Sequence, residues 1–173
     1  MLFRSAEIIR RREPVGLLLS RQNLPVFERE SERKGSGIAD ANGVRNGAYI
    51  LKEASTTPQV ILIATGSEVA LALSAQSELE KENIPTRVVS APCLEWFAAQ
   101  PENYRASVLP PSIKARVSIE AGIAQGWREL VGDSGEIISI EHFGASASYQ
   151  KLFAEFGFTV ENVVAAARRA MSR

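Results

Sequence analysis

Val60-Ile61-Leu62-Ile63-Ala64-Thr65-Gly66-Ser67-Glu68-Val69 decides the fold of this chain. Val60 to Ile63 is a continuous apolar, largely β-branched run that is polar on neither face. That pattern fits a central strand covered on both sides, as in a parallel sheet. Thr65-Gly66-Ser67-Glu68 reads as a capping box. Thr65 at the N-cap is placed to accept from the Glu68 N–H, and Glu68 to reach back to the Thr65 N–H. Val69, Ala72, Leu73 and Leu79 then form one face of a helix. A strand therefore turns sharply into a helix, and in α/β proteins such turns often hold ligands.

Phosphate is a poor fit for this turn. It has one glycine and no following lysine, unlike a P-loop or a dinucleotide fingerprint. Glu68 already supplies a carboxylate to the positive end of the helix dipole. The turn reads as a capped helix start.

Working outward, the chain alternates strands and helices. Strands are expected at Ala48–Lys52, Val60–Ala64, Thr86–Ser90, Ala115–Glu120 and Glu136–Ile140. Helices are expected over about 67–82, after Pro92, after Pro101, over about 124–131, and near 147–156 and 159–171. Thr159 reads as the N-cap of the last helix, with Val160, Val163, Val164, Ala167 and Met171 along one stripe. This order predicts an α/β fold, a three-layer α/β/α arrangement around a five-stranded, mostly parallel mixed sheet. Upstream, residues 2–12 read as a short helix with Leu2, Ala6 and Ile9 on one face. Val15-Gly16-Leu17-Leu18-Leu19-Ser20 reads as a buried strand. The polar, glycine-bearing stretch at 27–46 reads as a linker, because about twenty structureless residues are long for a loop inside one domain.

Composition narrows the function. The 173 residues are 45% hydrophobic and 23% charged, ordinary for a globular protein with a real core. Net charge is zero, which argues against nucleic acid or an anionic membrane as a partner. No apolar run approaches membrane-spanning length, and Arg10-Arg11-Arg12-Glu13 interrupts any signal-peptide core. A single cysteine and a single histidine leave no intrachain disulfide and no dedicated zinc set. A reducing cytoplasm is the expected location.

His142 lies past a strand end, in Glu141-His142-Phe143-Gly144-Ala145-Ser146-Ala147-Ser148. A Ser–His–acid set from Ser146 or Ser148 with Glu120 or Glu141 lacks a nucleophile elbow, so a structural histidine is the better reading. Cys93 at a helix start reads as a small packed thiol. Glu78, Glu80 and Glu82 read as solvated, and so does the Arg10–Arg12 run. Trp96, Phe97 and Trp127 read as packing residues. Arg21 differs, because it directly follows the run 15–20. At the end of a parallel strand its planar fork would suit a phosphate.

Several segments together resemble the C-terminal part of transketolases. They are Leu18-Leu19-Ser20-Arg21-Gln22-Asn23-Leu24, Ile63-Ala64-Thr65-Gly66-Ser67-Glu68-Val69 and Arg87-Val88-Val89-Ser90-Ala91-Pro92-Cys93-Leu94-Glu95-Trp96-Phe97. Tyr104-Arg105-Ala106-Ser107-Val108-Leu109-Pro110, Arg116-Val117-Ser118-Ile119-Glu120-Ala121-Gly122-Ile123 and Phe143-Gly144-Ala145-Ser146-Ala147 continue the series in family order. The resemblance implies that 1–26 is a remnant of the end of a pyrimidine-binding domain, 27–46 a linker, and 47–173 the family's C-terminal domain. It implies two-carbon ketol transfer between sugar phosphates in the intact enzyme. There, thiamine diphosphate with Mg or Ca carries the chemistry. It also implies partners, namely the remaining domains of the same enzyme and a second subunit in a homodimer.

Arg21 matches the family arginine that grips the substrate phosphate. The catalytic histidines, metal ligands and cofactor-activating glutamate of the family have no counterpart here, so this chain is expected to bind no cofactor itself. The expected function is that of a C-terminal fragment of a transketolase, inactive alone and structural in the intact enzyme. The alternative from the residues is an independent α/β binding module for a small phosphorylated ligand. A hydrolase built on Ser146 and His142 is the third reading.

Overall fold

The structure is a computed structural model that describes residues 2–173, with side chains from Ser5 onward. The elements in chain order are α1 (Leu2–Arg11), a 3-10 turn at Ala41–Asn46, β1 (Tyr49–Lys52), β2 (Val60–Ala64) and α2 (Glu68–Lys81). Then come β3 (Thr86–Ser90), α3 (Leu94–Ala98), α4 (Glu102–Val108), β4 (Arg116–Ile119), α5 (Arg128–Val131), β5 (Glu136–Ile138), α6 (Tyr149–Glu155) and α7 (Val160–Met171). Leu2, assigned above to the apolar face of α1, has its side chain outside the described residues.

The five strands form one mixed sheet in the order β1-β3-β2-β4-β5. β1 runs antiparallel to β3, and the other neighbours are parallel. Every residue of β2 is buried, because β2 is the middle strand and helices cover both its faces. Val60, Leu62 and Ala64 point into the core under α2 and α7, with Leu79, Val163 and Ala167. Ile61 and Ile63 point the other way, toward Phe97, Val108, Trp127 and Val131. The period-two alternation of a strand thus feeds two separate apolar layers, and the three-layer α/β/α expectation holds.

Three local expectations are corrected. Val15–Ser20 forms no strand and is exposed along its length. A strand is not a local structure. Its N–H and C=O groups need a neighbouring chain, and these residues pair with neither sheet edge. Stretch 27–46 is packed rather than structureless. The Glu30 carboxylate accepts from the Gly35 and Gly37 N–H groups at 2.7 and 2.8 Å. The Ala39 N–H bonds to the Leu51 carbonyl, and Phe27, Ile38 and Val44 join the α2-side core. The capping box is absent. The N-cap of α2 is Ser67, and Thr65 contributes only its carbonyl, to the Glu68 N–H.

Candidate functional site

β2 and β4 are parallel neighbours, with Ala64 beside Ile119 at their carboxyl ends. β2 leads on to β3 on one side of it, while β4 leads on to β5 on the other. The order of the sheet reverses here, and a crevice opens between the two strand ends. This is where open α/β sheets hold ligands. Its cavity is about 460 Å³, with Glu68, Glu120, Cys93, Trp96, Leu17 and Leu19 among the lining residues.

Two carboxylates line it, Glu68 and Glu120. Glu68 is only 4% exposed. Its Oε1 accepts from the Ser67 hydroxyl at 2.8 Å. Burial pushes the Glu68 carboxyl above its ordinary value. The Ser67 hydroxyl opposes that shift, and the neighbouring Glu120 charge adds to it. Glu120 accepts a hydrogen bond from the Trp127 indole N–H. Among the described residues, the crevice lining contains no Lys, Arg or His. It repels anions and can hold a proton, which counts against a phosphate at this turn.

The other sequence candidates are scattered. Arg21 is exposed, and among the described residues it has no hydrogen-bond or ion-pair partner. It follows no strand and lines neither this crevice nor the cavities beside it. His142 Nδ1 lies 2.8 Å from the carbonyl oxygen of Phe143, and its ring packs edge-on to Phe156 at 4.7 Å. Ser146 and Ser148 are exposed, and neither bonds to His142. Glu141 accepts from the Ala124 N–H and the Ser139 hydroxyl. No Ser–His–acid set is assembled.

Cys93 is part-buried at the start of α3. Burial pushes its thiol up, and its Sγ sits 3.4 Å from Glu95 Oε2. A raised thiol is a poor nucleophile, in line with a packed residue.

Two groups expected to be solvated are engaged instead. Arg11 stacks on the Trp96 ring at 3.9 Å and donates to the Arg45 carbonyl at 2.9 Å, so α1 is tied to the domain. Glu80 accepts from the Thr86 N–H at 2.8 Å, and Glu82 pairs with Arg168. The placing of Glu68 and Glu120 along one crevice escaped the sequence reading. Its one legible signal is that each acidic residue follows the end of a buried apolar strand.

The donor set does not fit thiamine diphosphate or its metal. Among the described residues no three His, Cys, Asp or Glu side chains gather to hold an ion. The α2 N-terminus carries the Glu68 carboxylate, which disfavours a diphosphate there. Among the described residues no helix is long and apolar enough to cross a membrane.

A family model described as the transketolase-like TK C-terminal domain matches residues 47–159. A transketolase of Mycobacterium tuberculosis (strain H37Rv) is 55% identical over 163 residues, covering 91% of this chain and 22% of that protein. Transketolase 1 of Escherichia coli K12 is 46% identical over 155 residues, with 90% and 22% covered. Among solved structures, a transketolase of Pichia stipitis in complex with sedoheptulose-7-phosphate superposes with a TM-score of 0.74 at 34% identity. That match covers 88% of this chain and 20% of the other. The chain spans about a fifth of the length of the curated relatives it matches.

Proposed function

This chain belongs to the transketolase family, and from that premise we propose that it acts as an ancillary packing domain of a ketol-transferring enzyme and turns over no substrate alone. The observation that carries this reading is 55% identity over 163 residues to a transketolase of which the match spans 22%. In it, residues 1–26 are the end of a pyrimidine-binding domain, 27–46 the linker, and 47–173 the C-terminal domain. The intact enzyme would move a two-carbon ketol unit between sugar phosphates in the cytoplasm, as a homodimer. Thiamine diphosphate with Mg or Ca, held by other domains, would supply the carbanion chemistry. No step of that chemistry is derived from the residues of this chain.

Arg21 is the proposed contact to a substrate phosphate. Its unpartnered guanidinium supports this, since the planar fork remains free for a bidentate anion. The segment before it pairs with neither edge of the five-stranded sheet, which leaves its position unfixed by strand pairing. In the intact enzyme, Arg21→Gln is expected to raise KM for phosphorylated substrates more than it lowers kcat.

A steady-state assay tests the main reading, with the purified 173-residue chain, xylulose 5-phosphate, ribose 5-phosphate, thiamine diphosphate and magnesium. No turnover above background is expected. Robust turnover by the chain alone would overturn the proposal.

A further inference from the structure

Residues 29–39 close on themselves, and one side chain fills the closed loop. The Glu30 N–H bonds to the Ile38 carbonyl at 2.7 Å, and Arg29 Nη1 donates to the Ala39 carbonyl at 3.0 Å. The two ends of the stretch therefore lie side by side. Between them Gly35 and Gly37 take positive φ, 82° and 67°. With that backbone both of their N–H groups point at the Glu30 carboxylate, at 2.7 Å to Oε1 and 2.8 Å to Oε2. The Ser36 hydroxyl reaches Oε2 at 3.3 Å. A carboxylate seated in a concavity of main-chain N–H groups makes strong, charge-assisted hydrogen bonds. The Gly35 N–H, and after it the Gly37 N–H, hold the Glu30 carboxyl below its ordinary value.

This contact opposes a real cost. Residues 30–35 are all exposed, so apolar burial contributes little to their order. Glycine loses more conformational freedom on ordering than any other residue, and the loop contains two. What the closure secures lies on either side of it. Phe27 and Ala39 pack on the α2-side core, and Ile38 and Val44 are buried in it. The Ala39 N–H bonds to the Leu51 carbonyl of β1 at 2.8 Å. A second carboxylate serves the neck of the loop. Asp40 accepts from the Ser31 hydroxyl at 2.8 Å and from the Asn42 N–H at 2.9 Å.

We propose that Glu30 is a latch, which fills the Gly35–Gly37 concavity and so holds residues 27–46 as a rigid connector on the edge of the sheet in place of a swinging tether. β1 is an edge strand, so a connector fixed against it fixes the direction from which the chain arrives. On the function proposed above, this stretch joins two domains, and the latch sets the angle between them. That consequence rests on the family role, whereas the latch itself does not.

Amide exchange resolved residue by residue by NMR tests the latch in the 173-residue chain, with each rate divided by its intrinsic rate. In the wild type the Gly35 and Gly37 amides are expected to be protected about tenfold or more. Glu30→Ala should bring both close to their intrinsic rates. The Ala39 amide should lose about tenfold in protection with them, because its bond to Leu51 depends on the closed loop. The amides of β2 should keep their protection, since Glu30 is exposed and lies outside the core. Unprotected Gly35 and Gly37 in the wild type would overturn the proposal without any variant. Unaltered Ala39 protection in Glu30→Ala overturns it too, and so does Ala39 protection that falls only in step with β2. The turnover assay bears on the family role alone, so the two readings fail separately.

Discussion

Arg87 grips Glu53 with two prongs, Nε to Oε1 at 2.9 Å and Nη2 to Oε2 at 2.8 Å. The same guanidinium donates Nη1 to the carbonyls of Ser107 and Val108 at 2.8 and 2.9 Å. One buried side chain on β3 therefore ties the end of β1 to the end of α4. Arg87→Met should cost about 3 kcal/mol, because it breaks the pair and strands two carbonyls. Glu53→Gln should cost less, about 1 kcal/mol, since half of the Glu53 side chain is in solvent. Urea unfolding of both variants at neutral pH checks the ranking.

Glu53 and Glu68 should bend the pH dependence of stability in opposite directions. Burial pushes Glu53 up, but the Arg87 contact and the Ala54 N–H outweigh it and hold the carboxyl below its ordinary value. Its contribution is present above the unfolded-state value and is lost as pH falls through the lower folded one. Glu68 is raised, so its contribution is present at low pH and is lost as pH rises through the raised value. Glu53→Gln should flatten the acid side of a stability profile. Glu68→Gln should gain stability over the wild type as pH increases. Denaturation midpoints taken across the acidic to neutral range would reveal the crossing, and parallel profiles would refute it.

Arg116 is a half-buried guanidinium with no carboxylate. Its donors reach the carbonyls of Ile113, Leu130, Leu109 and Pro110, between 2.7 and 3.2 Å. It gathers the ends of α4 and α5 beside β4, and burial lowers its pKa. Arg116→Lys should fail to rescue, because a compact ammonium has three donors and no planar fork. Both Arg116→Lys and Arg116→Met are expected to cost about 2–4 kcal/mol in chemical denaturation.

Gly47 and Gly66 both adopt positive φ, 81° and 57°. An added Cβ at Gly47 would overlap the Phe97 nitrogen and the Cys93 carbonyl oxygen, which are backbone atoms of the α3 turn. At Gly66 the nearest atom would be Glu68 Oε2, at 3.6 Å. Gly66→Ala should cost about 1 kcal/mol for the left-handed backbone alone. Gly47→Ala should cost more than about 3 kcal/mol, or prevent folding, as α3 is forced off β1. Thermal melts of the two variants decide it.

Thr159 caps α7 through its hydroxyl, which accepts from the Asn162 N–H at 3.2 Å. The Thr65 hydroxyl makes no such bond. Thr159→Ala should lose about 1 kcal/mol, and Thr65→Ala much less. Equal losses would restore the capping box to α2.

These two threonines show how far local reading reaches. Both precede an apolar helical stripe, and at Thr159 nothing competes with the cap. At Thr65 the N-cap position falls instead to Ser67, whose hydroxyl donates to Glu68 Oε1 and caps no backbone N–H. The β2 core strand was legible because an unbroken apolar run is stable only when covered on both faces. The run 15–20 carries the same signal and gave the wrong answer. Its pattern specifies a demand for burial and for pairing partners, but the run lies along a crevice and pairs with neither edge of the sheet. Arg21 was placed by that same strand and is left without its setting.

The alternation of strands and helices, the mixed sheet and the family were determined by the sequence alone. They rest on periodicity, turn residues and motif order, all of which act over short stretches of chain. Only the tertiary structure decided that Glu68 and Glu120 line one crevice, and that Leu17 and Leu19 lie along it. Those residues are far apart in the sequence. Glu68 and Glu120 share it because β2 and β4 are neighbours in the sheet, and pairing between distant strands is set by the packing of the whole domain.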